Sequence, residues 1–152
     1  MTLDEVRARY EIAFDDYAVA VFHPVTSEAD TMGAQAASLF GTLERSGRNF
    51  VIVAPNNDPG SEAIFAVLGR LPAGRFRVIP SMRFAHFSEL MKNAAAIVGN
   101  SSAGVREAPF LGIPSLDIGT RQANRAAAPS IFTAEAAEEP KILDFLGREW
   151  GR

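Results

Sequence analysis

Short apolar runs alternate with segments of helical length along this chain of 152 residues. The apolar runs are rich in Val and Ile and show little polar alternation, which is typical of strands covered on both faces. Alternation of such strands with helices predicts an α/β fold, a doubly wound, Rossmann-like sheet that is mostly parallel. The predicted strands lie at residues 17–23, 49–56, 75–81, 95–100, 113–119 and 130–134.

The predicted helices lie between these strands, at residues 31–44, 61–71, 84–93 and 103–111. A helix-like segment at residues 3–9 lies in a leader or connector at residues 1–15, and residues 138–150 are expected to form a closing helix. The chain length suits one domain with a substantial core, so we expect residues 1–152 to fold as a single unit.

Composition narrows the functions that such a domain can have. The chain is 47% hydrophobic and 22% charged, with a net charge of -3, which does not favour nucleic acid as a partner. It has no cysteine and two histidines, so we expect no disulfide and no metal ion. We expect no cofactor of another kind either. Its start is charged where a signal peptide needs an apolar core, and no apolar run approaches the ~20 residues of a membrane span. We therefore expect a cytoplasmic protein without a membrane partner.

Polar residues follow each of the first five predicted strands, where doubly wound sheets bind their ligands. The fourth end is the most informative, because Asn100, Ser101 and Ser102 close a strand and open a predicted helix. Free N–H groups at a helix start form an anion site, and Gly104 lets the main chain approach a ligand. The alternative is that the two serines only cap the helix.

Three charged residues extend this candidate site. Glu107 lies about one and a half turns into the predicted helix, where it can accept hydrogen bonds from a ribose diol or only complement the helix N-terminus. Arg121 and Arg125 follow the fifth strand and can bind phosphate oxygens or remain solvated. Together with the serines, they describe a site for a ribose and a diphosphate.

Two further strand ends contribute candidates. His23 ends the first strand and can donate a proton to a phosphate leaving group, or instead satisfy neighbouring main chain. The main chain at Met82 can contact a base. His86 lies inside a predicted helix beside Phe84 and Phe87, which favours a structural or exposed position.

The chain resembles the carboxyl-terminal half of the UDP-N-acetylglucosamine 2-epimerases, specifically of the hydrolysing type used in sialic-acid-type biosynthesis. The resemblance lies in FHPVT, PNNDPGS, IPSMRF, GNSSAGVREAP and GTRQANR, and it extends from about Tyr17 to Arg125. It implies the second Rossmann-like domain of a GT-B-type two-domain fold. It further implies roles in UDP binding for a set of six residues and a catalytic role at the diphosphate for His23. The six are Asn56, Met82, Ser101, Ser102, Glu107 and Arg121.

In that family, UDP leaves the anomeric carbon as the C2 proton is removed, and water then adds to release N-acetylmannosamine. The carboxylates that move the C2 proton belong to an amino-terminal domain for which this chain has no room. We therefore expect UDP and a UDP-amino sugar as ligands, the missing domain as a partner in cis or in trans, and no turnover by this chain alone.

Other functions remain open. The sugar can be N-acetylglucosamine or an N,N'-diacetylbacillosamine derivative, because most sugar contacts come from the absent half. The chain can also be a non-catalytic UDP-sugar-binding module, or an interaction protein that forms a homo-oligomer through a bare apolar face. It can also be the acceptor half of a glycosyltransferase, but FHPVT together with GTRQ argues against that.

Overall fold

A computed structural model describes residues 2–13, 16–23, 30–54, 61–72, 74–79, 82–100, 112–119 and 131–150. Within them, six parallel strands form one sheet in the order β3-β2-β1-β4-β5-β6. The predicted doubly wound α/β fold is therefore confirmed, with strands shorter than the apolar runs. They are β1 (Ala18–Val21), β2 (Phe50–Val53), β3 (Phe76–Ile79), β4 (Ile97–Gly99), β5 (Ser115–Ile118) and β6 (Ile131–Ala134).

Helices connect and flank the strands near the predicted positions. The described helices are α1 (Leu3–Arg9), α2 (Met32–Arg45), α3 (Ser61–Leu68), α4 (Phe84–Lys92) and α5 (Glu139–Glu149). The predicted leader helix begins at a capping box, in which the Thr2 hydroxyl accepts from the Glu5 N–H and the Glu5 carboxylate accepts from the Thr2 N–H. The helix predicted at residues 103–111 lies outside the described residues.

The two largest hydrophobic clusters of the described residues lie on the two faces of the sheet. Along β1, Ala18 and Ala20 pack into the larger cluster with α2, α3 and α5, whereas Val19 and Val21 pack into the other cluster with α1 and α4. Successive side chains of a strand point to opposite faces, so a strand covered on both sides is expected to be apolar at most positions. This packing explains why the runs lack polar alternation.

Candidate functional site

The strand order reverses between β1 and β4. From β1 the chain moves outward through β2 to β3, and it then returns to place β4 on the other side of β1. In open sheets of this kind, the crevice beyond the carboxyl ends of the two strands at the reversal is the usual ligand site. The residues that follow β1 and β4 are therefore the first candidates.

His23 and Asn100 meet at this point. The His23 N–H donates to Asn100 Oδ1 at 2.7 Å, and the Asn100 amide donates from Nδ2 to the His23 carbonyl at 2.8 Å. The Asn100 N–H also donates to the carbonyl of Val21 at 3.0 Å. Asn100 is only 1% exposed, whereas His23 is half-buried. These contacts hold the end of β1 against the end of β4 at the crevice.

Gly99 makes this close approach possible. Its φ is +141°, and a Cβ added to it would lie 1.9 Å from the Val21 carbonyl oxygen. No side chain fits at that distance, and L residues rarely adopt this φ. Glycine is therefore required where β4 passes the end of β1 and delivers Asn100 to His23.

Met82 lies just beyond β3, on the same edge of the sheet as His23 because all strands are parallel. Its side chain is half-buried and packs against the cluster that contains Val51, Ile79 and Leu90. This packing anchors the segment that follows β3 through the side chain. The predicted role of the Met82 main chain at a base stays a prediction.

The remaining predicted site residues lie outside the described residues, so their positions do not enter the geometry. They are Asn56, Ser101, Ser102, Gly104, Glu107, Arg121 and Arg125.

Sequence reasoning missed a buried carboxyl group in β5. Asp117 is paired in register with Gly99 and is 4% exposed, and its Oδ1 has no hydrogen-bond partner in the described part of the chain. Burial raises the pKa of Asp117 from 3.8 to about 6, because a charge is disfavoured away from water. The available signal was a single acid in the otherwise apolar segment IPSLDIG.

His86 has a structural environment, as its sequence context favoured. It is buried in α4, and its Nδ1 is hydrogen-bonded to the hydroxyl of Tyr10 at 2.6 Å. Burial lowers the pKa of His86, and the cations Arg9 and Arg83 act in the same direction. His86 thus links α4 to the segment after α1.

The described ranges contain neither a candidate metal site nor a candidate membrane-spanning helix. No group of three or more His, Cys, Asp or Glu residues there is arranged to hold a metal ion. No helix among the same residues is both long enough and apolar enough to cross a membrane.

The chain is similar to proteins of a known family. A family model described as UDP-N-acetylglucosamine 2-epimerase matches residues 1–146. The UDP-N-acetylglucosamine 2-epimerase of Neisseria meningitidis serogroup B is 47% identical over 145 residues, which cover 95% of this chain and 38% of that protein. The UDP-N,N'-diacetylbacillosamine 2-epimerase (hydrolyzing) of Legionella pneumophila is 24% identical and covers 80% of this chain and 36% of that protein.

A solved structure shares the fold. The UDP-GlcNAc 2-epimerase from Neisseria meningitidis bound to UDP-GlcNAc is similar with a TM-score of 0.74 at 17% identity, over 94% of this chain and 40% of that one. Such epimerases have GT-B-type folds, in agreement with the predicted fold class. This chain spans about two-fifths of the length of the proteins that it matches.

Proposed function

The chain belongs to the UDP-N-acetylglucosamine 2-epimerase family, and we propose that it is the UDP-sugar-binding part of a hydrolysing member. The reaction proposed for the whole enzyme converts UDP-N-acetylglucosamine and water into N-acetylmannosamine and UDP. The observation that carries this proposal is the meeting of His23 and Asn100 at the strand reversal, the position at which doubly wound domains hold nucleotides.

We assign the diphosphate to the crevice between β1 and β4. Ser101 and Ser102 would bind phosphate oxygens, and Arg121 would approach the same phosphates with its guanidinium group. His23 would stand at the distal phosphate, because it follows the strand next to β4. These assignments come from the motif resemblance. The position of the His23 main chain at the carboxyl end of β1 supports them.

The nucleoside would lie along the same edge of the sheet. Glu107 would accept two hydrogen bonds from the ribose hydroxyls, since a carboxylate offers two oxygens to a vicinal diol. Asn56 and the Met82 main chain, which follow β2 and β3, would contact the base. A nucleotide that extends across the carboxyl ends of neighbouring strands fits the parallel order of this sheet.

The contribution of this part to catalysis is stabilisation of the leaving group. In the first step, the C1–O bond to UDP breaks as a base removes the proton from C2, which leaves a C1=C2 double bond. In the second step, water adds across that bond: hydroxyl bonds to C1, and a proton bonds to C2 from the opposite face. Hydrogen bonds to the departing diphosphate from His23, Arg121 and the two serines would lower the barrier of the first step, because negative charge grows there.

Turnover would need groups that we do not assign to this chain. The residues given to UDP include no carboxylate at C2 of the sugar, so we propose that the base comes from a second domain in cis or in trans. The chain by itself would then bind UDP and release none from UDP-N-acetylglucosamine. Rapid UDP release by the purified chain would contradict this part of the proposal.

A UDP-N,N'-diacetylbacillosamine derivative is the second candidate substrate, because the Legionella relative is named for that sugar. The same UDP site would serve both sugars. A direct test is to add the missing domain from a relative and compare the two UDP-sugars by the free sugar that each releases. A non-catalytic UDP-sugar-binding module would bind UDP equally well but stay inactive in that complemented assay.

Thermal denaturation with UDP, UMP and UDP-N-acetylglucosamine tests the binding site itself. A ligand that binds only the folded state, present at 100 times its Kd, raises the free energy of unfolding by about 2.7 kcal/mol. For a domain of this size we expect a rise in Tm of roughly 5 to 10 °C. An unchanged Tm at millimolar UDP would contradict the proposed site and favour an interaction protein.

A further inference from the structure

The side chain of Asn100 continues the hydrogen-bond ladder between β1 and β4 beyond the last residue of β1. Within the ladder, the Val19 N–H donates to the carbonyl of Ala96 at 3.0 Å. Val19 and Ala96 are 77 residues apart, and so are His23 and Asn100. Four residues further along each strand, however, where the ladder would continue beyond β1, the acceptor of the His23 N–H is the side-chain Oδ1 of Asn100 instead of a main-chain oxygen.

This replacement adds a second bond that a main-chain carbonyl cannot make. An amide side chain carries an acceptor and a donor, and here Nδ2 donates back to the His23 carbonyl at 2.8 Å. The main chain of His23 is thus held on both its N–H and its C=O. Two hydrogen bonds restrict the position of the His23 main chain more than one bond would. The main chain in turn sets where the imidazole begins, which matters for a side chain that must meet a ligand.

We propose that Asn100 is a positioning residue that sets where the His23 imidazole stands relative to a diphosphate at the strand reversal. The inference rests on the proposed function, because Asn100 is inferred to act on the ligand through His23. Asn100 is 1% exposed, and both polar ends of its amide contact His23, so these two contacts give its buried side chain a route to a ligand through the histidine.

No other small side chain reproduces this arrangement. The substitution Asn100→Asp would keep an acceptor for the His23 N–H but would place an oxygen against the His23 carbonyl, and Asn100→Ala would remove both hydrogen bonds that the amide makes to the His23 main chain. These two variants are therefore the ones to compare. The matched control is Asn93→Ala, because Asn93 is exposed at the end of α4 and its amide donates to Glu89 of the same helix.

The first measurement needs no ligand. The chain contains two histidines, so labelling with ¹³C,¹⁵N-histidine gives signals from His23 and His86 alone. We expect Asn100→Ala and Asn100→Asp to shift and broaden the main-chain amide and imidazole signals of His23 and to leave those of His86 unchanged. Asn93→Ala should move neither histidine. His23 signals identical to those of the wild type in both Asn100 variants would overturn the inference.

The second measurement separates positioning from general damage to the fold. UMP lacks the distal phosphate, so the ratio of UDP to UMP affinity reports on the contact assigned to His23. We expect Asn100→Ala to lower this ratio about tenfold, the scale of one hydrogen bond to an ionised group. In a His23→Ala background, the same change should have no further effect on the ratio.

The outcomes distinguish the two proposals. If Asn100→Ala lowers the UDP to UMP affinity ratio equally in the wild-type and His23→Ala backgrounds, Asn100 is merely structural. That result would overturn the inference but not the proposal that the chain binds UDP. Failure of the wild-type chain to bind UDP would overturn the proposed function, and the role of His23 at a diphosphate with it. Circular dichroism of every variant establishes that the folded state is compared, and Asn100→Asp supplies the affinity ratio should the alanine variant not fold.

Discussion

Asp117→Asn should raise the free energy of unfolding at pH 8 and leave it almost unchanged near pH 4. The substitution keeps the shape of the buried side chain in β5 but removes its ability to ionise. In the wild type, burial raises the pKa of Asp117 to about 6, and its Oδ1 has no partner among the described residues to offset the loss of water. A charge in that position is therefore a cost that asparagine does not carry.

The sign and size of the effect follow from the two pKa values. Because the pKa in the folded state lies above the value of 3.8, the folded chain holds the proton more tightly than the unfolded chain does. The cost is absent below about pH 4, grows between pH 4 and pH 6 and is complete above that range. The difference in pKa corresponds to roughly 3 kcal/mol at 1.36 kcal/mol per pKa unit, so we expect a gain of roughly 1 to 3 kcal/mol at pH 8.

Urea denaturation at several pH values between 4 and 8 measures this difference directly. The matched control is Asp144→Asn, because Asp144 is exposed and forms a surface ion pair with Arg148 at 2.8 Å. Loss of that pair should destabilise by at most about 0.5 kcal/mol, in the opposite direction. A difference in stability between Asp117→Asn and the wild type that stays constant from pH 4 to pH 8, or a less stable variant at pH 8, would show that Asp117 carries no such charge cost.

Three other changes test the fold and the site. Gly99→Ala should lower the free energy of unfolding by roughly 3 kcal/mol or prevent folding, because its Cβ would lie 1.9 Å from the Val21 carbonyl oxygen. In the same denaturation assay the control Gly74→Ala should be nearly neutral, since a Cβ there meets nothing within 4 Å. Tyr17→Phe should lower the free energy of unfolding by about 1 kcal/mol, because it removes a buried hydrogen bond of 2.7 Å to a main-chain carbonyl of α4; an unchanged denaturation midpoint would contradict this. Glu107→Ala should weaken UDP about tenfold in calorimetry and leave a 2',3'-dideoxy analogue unaffected, and an equal loss for both ligands would remove Glu107 from the ribose.

The sheet was predictable from sequence because its signal is local and repeated. Most strands are short runs that are largely apolar on both faces, as Ala18 and Val19 illustrate on opposite sides of β1. The helices carry their own period, and the capping box of Thr2 and Glu5 marks the start of the first one. The predicted first and fourth strands extended beyond the observed ends of β1 and β4, because apolar character does not report where ladder hydrogen bonds stop.

The candidate site was predictable only in part. The position of His23 at a strand end followed from the pattern, but its contact with Asn100 joins residues 77 positions apart and depends on which strands are neighbours. Burial of Asp117 likewise depends on the register of β5 with β4, which composition does not encode. The roles predicted for Asn56, Ser101, Ser102, Glu107 and Arg121 remain predictions.

A titration of the ¹⁵N-labelled chain with UDP, followed by main-chain amide signals, tests the central claim most directly. We expect the amides of His23, Met82 and Asn100, at the carboxyl ends of the strands, to shift together along one saturable curve, while those of α1 and α5 stay in place. No shift at millimolar UDP, or saturable shifts confined to residues away from the carboxyl ends of β1 and β4, would contradict it.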